Sequence, residues 1–112
     1  MTSVATLRAL RWWDIEHLVP LERDLFPHDP WTAESFWAEL AAGPDRWYVV
    51  AEDAGGDIVG YAGLTAAAAA RGGDAEVMTV AVAPDAQSRG IGRALITALR
   101  DEATRQIGRA HV

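Results

Sequence analysis

The chain has 112 residues, which is enough for one compact domain and too few for two. It contains no cysteine, which excludes disulfides and thiolate nucleophiles, and its three histidines show no metal-ligand spacing. The net charge of -6 argues against a nucleic-acid surface. No apolar run is long enough to cross a membrane and the first residues form no secretory signal, so we expect a cytoplasmic enzyme or binding domain.

The first half of the chain predicts one strand followed by two helices. Residues 6–10 alternate weakly between apolar and polar side chains and predict an edge strand. Asp14 is the expected N-cap of a first helix, which Pro20 should kink or divide because proline removes a backbone donor. Thr32 is the expected cap of a second helix, and Gly43-Pro44 should end it. The aromatic residues expected in the core are Phe26, Phe36, Trp37, Tyr48 and Tyr61.

The second half predicts three strands and one long helix. Residues 47–52 and 58–65 are rich in β-formers and flank a turn at 53–57, which indicates a hairpin. Residues 75–82 predict a third, mostly apolar strand that we expect to be covered on both faces. Residues 91–106 carry the clearest helical pattern. The predicted order is therefore β-α-α-β-β-β-α.

Residues 80–95 carry the most informative motif of the chain. A strand ends there in a tight loop that runs directly into the long helix. The first amides of a helix have no intrahelical partner, and the helix dipole adds partial positive charge at that end. Gly90 and Gly92 would let a pyrophosphate approach the backbone, and Arg89 and Arg93 can add charge-assisted contacts. The motif therefore indicates a phosphate site.

The charge distribution supports this interpretation, and two rival motifs fail. Residues 1–86 carry 14 acids and 5 arginines, whereas residues 87–112 carry 2 acids and 5 arginines. A dinucleotide fingerprint would need glycine where Leu95 stands and would follow the first strand, and a Walker A loop needs a lysine, which the chain lacks. The alternative without a ligand, a mere strand-to-helix turn, accounts for the glycines but for neither arginine.

Residues 87–92, Gln-Ser-Arg-Gly-Ile-Gly, resemble motif A of the GNAT acetyltransferases, and the order of elements is similar to theirs. Residues 30–36, Pro-Trp-Thr-Ala-Glu-Ser-Phe, resemble the RimI-like branch of that family, which acetylates protein N-termini. The resemblance extends to about Gln106. It implies a three-layer α/β fold with a mixed sheet that lacks the C-terminal strands and helix.

The resemblance also implies a site for acetyl-CoA as co-substrate, with no metal. The backbone of residues 80–82 would pair with the pantetheine arm and orient the acetyl carbonyl, and the amides of residues 88–93 would hold the pyrophosphate. The implied cofactor-binding residues are Val80, Ala81, Val82, Gln87, Ser88, Arg89, Gly90, Ile91, Gly92 and Arg93.

By the same resemblance, the expected activity is acetyl transfer to a primary amine, with the N-terminal α-amine of a protein, such as a ribosomal protein alanine, as leading acceptor. No nucleic-acid or membrane partner is expected. A small-molecule amine or aminoglycoside acetyltransferase and a non-catalytic acyl-CoA-binding module are the alternatives. The catalytic residues stay unknown, because the family's base and acid are expected beyond the chain end. Glu76 is a weak candidate for a role at the acceptor, and Trp31 either borders the acceptor cleft or anchors the second helix.

The last residues suggest a boundary within the chain. Residues 107–112 match the translation of a common sequencing-adapter string, so we expect residues 1–106 to be the N-terminal part of a GNAT domain and 107–112 to be a non-native tail. The alternative is that residues 109–112 natively begin the next strand. A chain that stops before the missing elements is expected to be marginally stable and inactive by itself.

Overall fold

A computed structural model of the chain describes residues 5–68 and 71–110. The order of elements is the predicted one. Its strands and helices are β1 (Thr6–Ala9), α1 (Ile15–Leu25), α2 (Ala33–Ala41), β2 (Arg46–Glu52), β3 (Ile58–Thr65), β4 (Glu76–Val82) and α3 (Ile91–Ala110). Short 3-10 turns precede α1 at Trp12–Asp14 and α3 at Pro84–Ala86.

The four described strands form one sheet in the order β1-β2-β3-β4, and each neighbouring pair is antiparallel. No parallel pair of the expected mixed sheet therefore lies among the described residues. Side chains alternate along β2, since Tyr48 and Val50 pack with α1 and α2 whereas Val49 and Ala51 pack with α3. The sheet thus lies between two helical layers, which confirms the three-layer α/β fold.

Asp14 is the N-cap residue of α1, as predicted, but the effect of Pro20 and the role of the Asp14 side chain differ from the prediction. Pro20 lies inside α1, and the helix continues without a break to Leu25. The side chain of Asp14 does not cap the helix and is buried, with its carboxylate 2.8 Å from both terminal nitrogens of Arg8. Burial alone would raise the pKa of Asp14, but the hydrogen bonds from Arg8 and from the backbone of Arg11 lower it below its ordinary value. Asp14 therefore ties β1 to the start of α1.

The second helix begins as predicted. The Thr32 hydroxyl accepts a hydrogen bond from the backbone N–H of Ser35 at 3.2 Å, which satisfies one of the free amides of the first turn. The helix ends at Ala41, and Gly43 follows in the left-handed region with φ of 107°.

Two expectations about burial are wrong. Phe26 and Trp37 were expected in the core, but they are 42% and 48% exposed, because Phe26 follows the end of α1 and Trp37 lies beside Trp12 at the surface. The first half of β4 is also not covered on both faces, since Val77 is 58% and Met78 37% exposed. Only the second half of β4 reaches the core, where Ala81 packs beneath the helical layer.

The last helix is longer than predicted. It continues from residue 106 to Ala110, so the suggested strand does not begin at Arg109, while residues 111–112 lie outside the described residues. The assignment of residues 107–112 as a non-native tail stays a prediction.

Candidate functional site

The connection from β4 to α3 folds into a compact turn. After Val82, the 3-10 turn is closed by a backbone hydrogen bond from Ala86 to the carbonyl of Ala83 at 2.9 Å. The side chain of Gln87 then reaches back and donates to the carbonyl of Val82 at 3.1 Å. Gln87 therefore holds the turn against the end of the strand, and its role as a cofactor contact stays a prediction.

Residues 87–92, which we call the glycine loop, present backbone amides at the start of α3. Ser88 and Gly90 both lie in the left-handed region, with φ of 69° and 80°. The first helical hydrogen bond runs from the amide of Ala94 to the carbonyl of Gly90 at 3.0 Å. The amides before Ala94 therefore have no acceptor within the helix, and alternating backbone conformations of this kind form anion-binding concavities.

Open space surrounds both glycines of the loop. A Cβ atom placed on Gly90 would meet no other heavy atom within 4 Å, and one on Gly92 would meet only a methyl of Val82 at 3.8 Å. Packing therefore does not require glycine at position 92, and the positive φ alone favours it at position 90. Arg89 and Arg93 are exposed beside this space. The residues present fit a phosphate group that approaches the backbone.

The strand that leads into the loop has a free outer edge among the described residues. Gly60, Tyr61 and Ala62 of β3 pair with Val82, Ala81 and Val80 on one side, and no described strand pairs with the other side of β4. Its outward N–H and C=O groups are hydrogen-bonding groups without a sheet partner. The predicted pantetheine-binding residues are thus brought next to the glycine loop.

A cavity of about 480 Å³, which we call the α1–β4 cavity, opens near the middle of β4. The end of α1 and the following loop provide most of its wall, and β4 contributes one side chain. Thr79 is three residues before Val82, which is about 10 Å along a strand. The cavity and the glycine loop therefore lie along one strand. The residues that line the cavity are Glu22, Leu25, Phe26, Pro27, His28, Asp29, Trp31 and Thr79.

A buried carboxylate holds this cavity together. Glu22 is only 1% exposed, and its two carboxylate oxygens accept hydrogen bonds from the backbone N–H of Trp31 at 2.9 Å and the hydroxyl of Tyr61 at 2.5 Å. Burial and the hydrogen bond to Glu22 raise the pKa of Tyr61, while a hydrogen bond with Thr79 opposes the shift. Glu22 therefore connects α1, the loop and the sheet by charge-assisted hydrogen bonds.

Sequence reasoning missed Glu22. It lies at helical spacing from Leu18 and Leu25, on the apolar face of an amphipathic helix. An acidic residue in such a position is rarely buried without a partner. That pattern could have singled it out, but its partners come from positions 9 and 39 residues further along the chain.

The two weak candidates from the sequence lie at different places in the fold. Trp31 lines the α1–β4 cavity and packs against Phe36 and Tyr48, with ring centroids 5.2 and 6.2 Å apart, while its role at the acceptor stays a prediction. Glu76 is exposed at the opposite end of β4, six residues and about 20 Å from Val82. It does not line the α1–β4 cavity, and its suggested role at the acceptor stays a prediction.

The described residues contain no cluster of His, Asp or Glu side chains that could hold a metal ion. Within the same residues, no helix has the length and apolar character that a membrane span requires.

Comparison with known proteins agrees with this architecture. Residues 8–112 match the Acetyltransferase (GNAT) family, and the chain belongs to that family. It is 41% identical over 101 residues to the N-alpha-acetyltransferase RimI of Mycobacterium tuberculosis, covering 89% of this chain and 63% of the relative. It is 32% identical over 95 residues to a Bacillus subtilis protein assigned as a ribosomal protein bS18-alanine N-acetyltransferase, covering 85% and 59%.

A solved structure extends the likeness to the fold. The phosphinothricin acetyltransferase of Sinorhizobium meliloti, determined in complex with acetyl-CoA, superimposes with a TM-score of 0.77 at 25% identity, over 91% of this chain and 60% of that one. These proteins agree with the predicted RimI-like resemblance and the GNAT fold. The chain spans about three fifths of the length of the curated relatives.

Proposed function

We propose that the chain binds acetyl-CoA at the glycine loop and contributes to an N-acetyltransferase that acts in the cytoplasm on the N-terminal α-amine of a protein. The observation that carries the proposal is the left-handed pair Ser88 and Gly90 at the start of α3, where amides without a helical acceptor lie next to open space and two exposed arginines. A ribosomal protein with N-terminal alanine is the favoured acceptor, on the strength of the relatives' names and the similarity of residues 30–36.

Two parts of the co-substrate, the pyrophosphate and the pantetheine arm, have a matching surface. The amides of residues 88–93 would bind the pyrophosphate, with Arg89 and Arg93 adding positive charge. The outer edge of residues 80–82 would hydrogen-bond the pantetheine arm, as an added strand pairs with a sheet edge. This placement would carry the thioester toward Thr79 and the α1–β4 cavity.

The cavity suits the acceptor. Its wall combines apolar side chains with the exposed Asp29, whose negative charge favours a cationic N-terminus. When the amine is neutral, its nitrogen can attack the thioester carbonyl, so that the C–N bond forms while the C–S bond breaks. The attacking nitrogen then loses one proton to give the amide, and the CoA thiolate takes up one proton to give the thiol. Glu22 would act in this scheme by holding the Trp31 backbone, and hence the cavity wall, in place.

Calorimetry with CoA tests the first half of the proposal. We expect binding by the unmodified chain and at least a tenfold loss of affinity in Gly90→Ala. Gly56→Ala is a matched control, because Gly56 also has a positive φ, 85°, and open space around its Cβ position, but lies in the hairpin turn. Equal CoA affinity of Gly90→Ala and the unmodified chain would show that the loop does not bind the co-substrate.

Peptide titration in the presence of CoA tests the second half. We expect a hexapeptide with a free N-terminal alanine to bind, and the same peptide with an acetylated N-terminus to bind at least tenfold more weakly. Phe26→Ala should weaken the binding of the peptide with the free N-terminal alanine, since Phe26 lines the cavity and is partly exposed. Preference for phosphinothricin over the peptide would instead favour a small-molecule acceptor, as in the Sinorhizobium meliloti protein.

A further inference from the structure

Three exposed tryptophans form one surface where the 3-10 turn before α1 meets α2. Trp12, Trp13 and Trp37, which we call the tryptophan patch, are 59%, 49% and 48% exposed. Trp12 stacks on Trp37 with ring centroids 6.1 Å apart and meets Trp13 edge-on at 5.4 Å. Clustered, exposed aromatic rings of this size mark interaction surfaces more often than isolated apolar residues do.

The patch borders its own groove, separate from the α1–β4 cavity. The groove has a volume of about 490 Å³, and its walls come from the first half of α1, the start of α2 and the three tryptophans. The α1–β4 cavity lies at the other end of α1, and the two share no lining residue. The groove therefore serves neither the co-substrate nor the acceptor amine of the proposed reaction.

The charges around the groove favour a cationic occupant. Glu16 is the charged residue among those that line the groove, and Arg11 lies at its border over Trp13. Glu16 lines the groove with a side chain that is 76% exposed, near His17 at 3.3 Å, and Glu34 is exposed in the first turn of α2. An anionic ligand such as a nucleic-acid strand or a lipid phosphate would be repelled by this surface.

One guanidinium of the chain already lies over a ring of the tryptophan patch. The guanidinium carbon of Arg11 lies 5.6 Å from the ring centroid of Trp13, within the range of a cation–π interaction. The exposed rings of Trp12 and Trp37 offer further aromatic surface beside Glu16, so that a second guanidinium could stack and pair with a carboxylate at once. Arginine suits this combination better than lysine, because its planar group both stacks and donates hydrogen bonds.

We propose that the tryptophan patch binds an arginine-rich segment of a partner protein, with a guanidinium stacked on Trp12 or Trp37 and paired with Glu16. The surface is a docking site and includes no step of acetyl transfer. Binding there does not need a free amine on the partner and does not depend on CoA.

A blocked peptide tests this proposal. The probe is an eight-residue peptide in which arginine alternates with glycine, acetylated at its N-terminus and amidated at its C-terminus so that it offers no α-amine. Titration is followed by calorimetry and by the indole N–H resonances in NMR spectra. We expect the Trp12 and Trp37 resonances to shift, and Trp37→Ala to weaken binding about fivefold, as expected for one cation–π contact of about 1 kcal/mol.

Matched controls separate docking from general attraction. A peptide with citrulline in place of arginine has the same shape without charge and should bind at least fivefold more weakly. Ile96→Ala removes an equally exposed apolar side chain on α3 and should leave the affinity unchanged. Glu16→Gln should weaken binding while far-UV circular dichroism stays the same, which keeps the test valid if a tryptophan variant folds poorly.

Several results would overturn the proposal. These are equal affinity for the citrulline peptide, an unchanged affinity in both Trp37→Ala and Glu16→Gln, and tighter binding of single-stranded polyuridine than of the arginine peptide. A dimer in light scattering that Trp37→Ala dissociates would show instead that a second copy of the chain covers the patch.

Discussion

The glycine loop and the α1–β4 cavity lie along the same strand, yet the backbone forms the first and side chains form the second. The loop presents backbone amides, supplied by six consecutive residues and kept accessible by the two glycines at positions 90 and 92. The cavity is formed by side chains from α1, the following loop and the sheet, which a buried carboxylate joins. A local sequence can therefore specify the first region, whereas the second exists only once distant elements have packed.

The difference has consequences for mutation. Adding a side chain at position 92 of the loop should block a ligand and leave the fold intact, because the added atoms would meet only a methyl of Val82 at 3.8 Å. Removing a charge beneath the cavity should weaken the fold itself, because buried polar groups would lose their partners. Binding and stability should thus respond separately in the two regions.

Gly92→Val should give the largest effect. We expect a roughly hundredfold loss of CoA affinity, or about 3 kcal/mol, because the branched side chain would occupy the space in front of the first helical amides. Gly108→Val is the matched control, since Gly108 lies in the same helix with open space around it and the same substitution there should leave the affinity unchanged. Calorimetry measures the CoA affinity of both variants. Equal losses of affinity in the two would show that position 92 is no more important for CoA binding than position 108.

Glu22→Gln tests the cavity. The free energy of unfolding should fall by about 2 to 3 kcal/mol, because an amide cannot accept hydrogen bonds at both ends from Trp31 and Tyr61. CoA affinity should stay unchanged, while binding of the alanine peptide should weaken.

Glu39→Gln provides the control for Glu22. Glu39 accepts a hydrogen bond from the hydroxyl of Tyr48 at 2.7 Å and pairs with Arg46, but it does not line the cavity. Chemical denaturation should show a loss of stability with no change in peptide binding. A weaker affinity for the peptide in Glu39→Gln alone would contradict the assignment of the cavity.

Asp14→Asn should destabilise the chain by about 2 kcal/mol at neutral pH, through loss of the buried pair with Arg8. The effect is smaller than for Glu22, since Arg8 keeps its second partner, Glu52. The folded-state pKa of Asp14 lies below its unfolded value of about 4. The contribution of ionised Asp14 to the free energy of unfolding is therefore complete above the unfolded pKa, and it disappears as the pH falls through the folded-state pKa. Denaturation of both proteins at pH 7 and near pH 2 should show the difference shrinking, and a constant difference would exclude the ionised pair as its cause.

Thr32→Ala should have the smallest effect, about 1 kcal/mol, because one amide of α2 loses its side-chain acceptor. Thr32 directly follows Trp31, so this variant also shows whether the cavity wall depends on the start of α2. Thermal unfolding measures the stability, and peptide titration measures the cavity. A change in CoA affinity would indicate that the two regions are coupled after all.

Much of the fold could be predicted because its signals are local. The hairpin turn, the Thr32 cap and the strand-to-helix motif each depend on a few consecutive residues with restricted backbone conformations. The exposure of Phe26 and Trp37 could not be predicted in this way, since apolar spacing shows which face of a helix is apolar but not how far the neighbouring elements cover it.

The sequence by itself determined the order of elements, the glycine loop and the family resemblance, because backbone geometry near glycine and proline is set by the residues themselves. Only the tertiary structure placed the side chain of Glu22 between Trp31 and Tyr61, paired the side chain of Asp14 with Arg8, and left three tryptophans together at the surface. Those arrangements depend on contacts between residues far apart in the chain, and a linear pattern does not contain their distances.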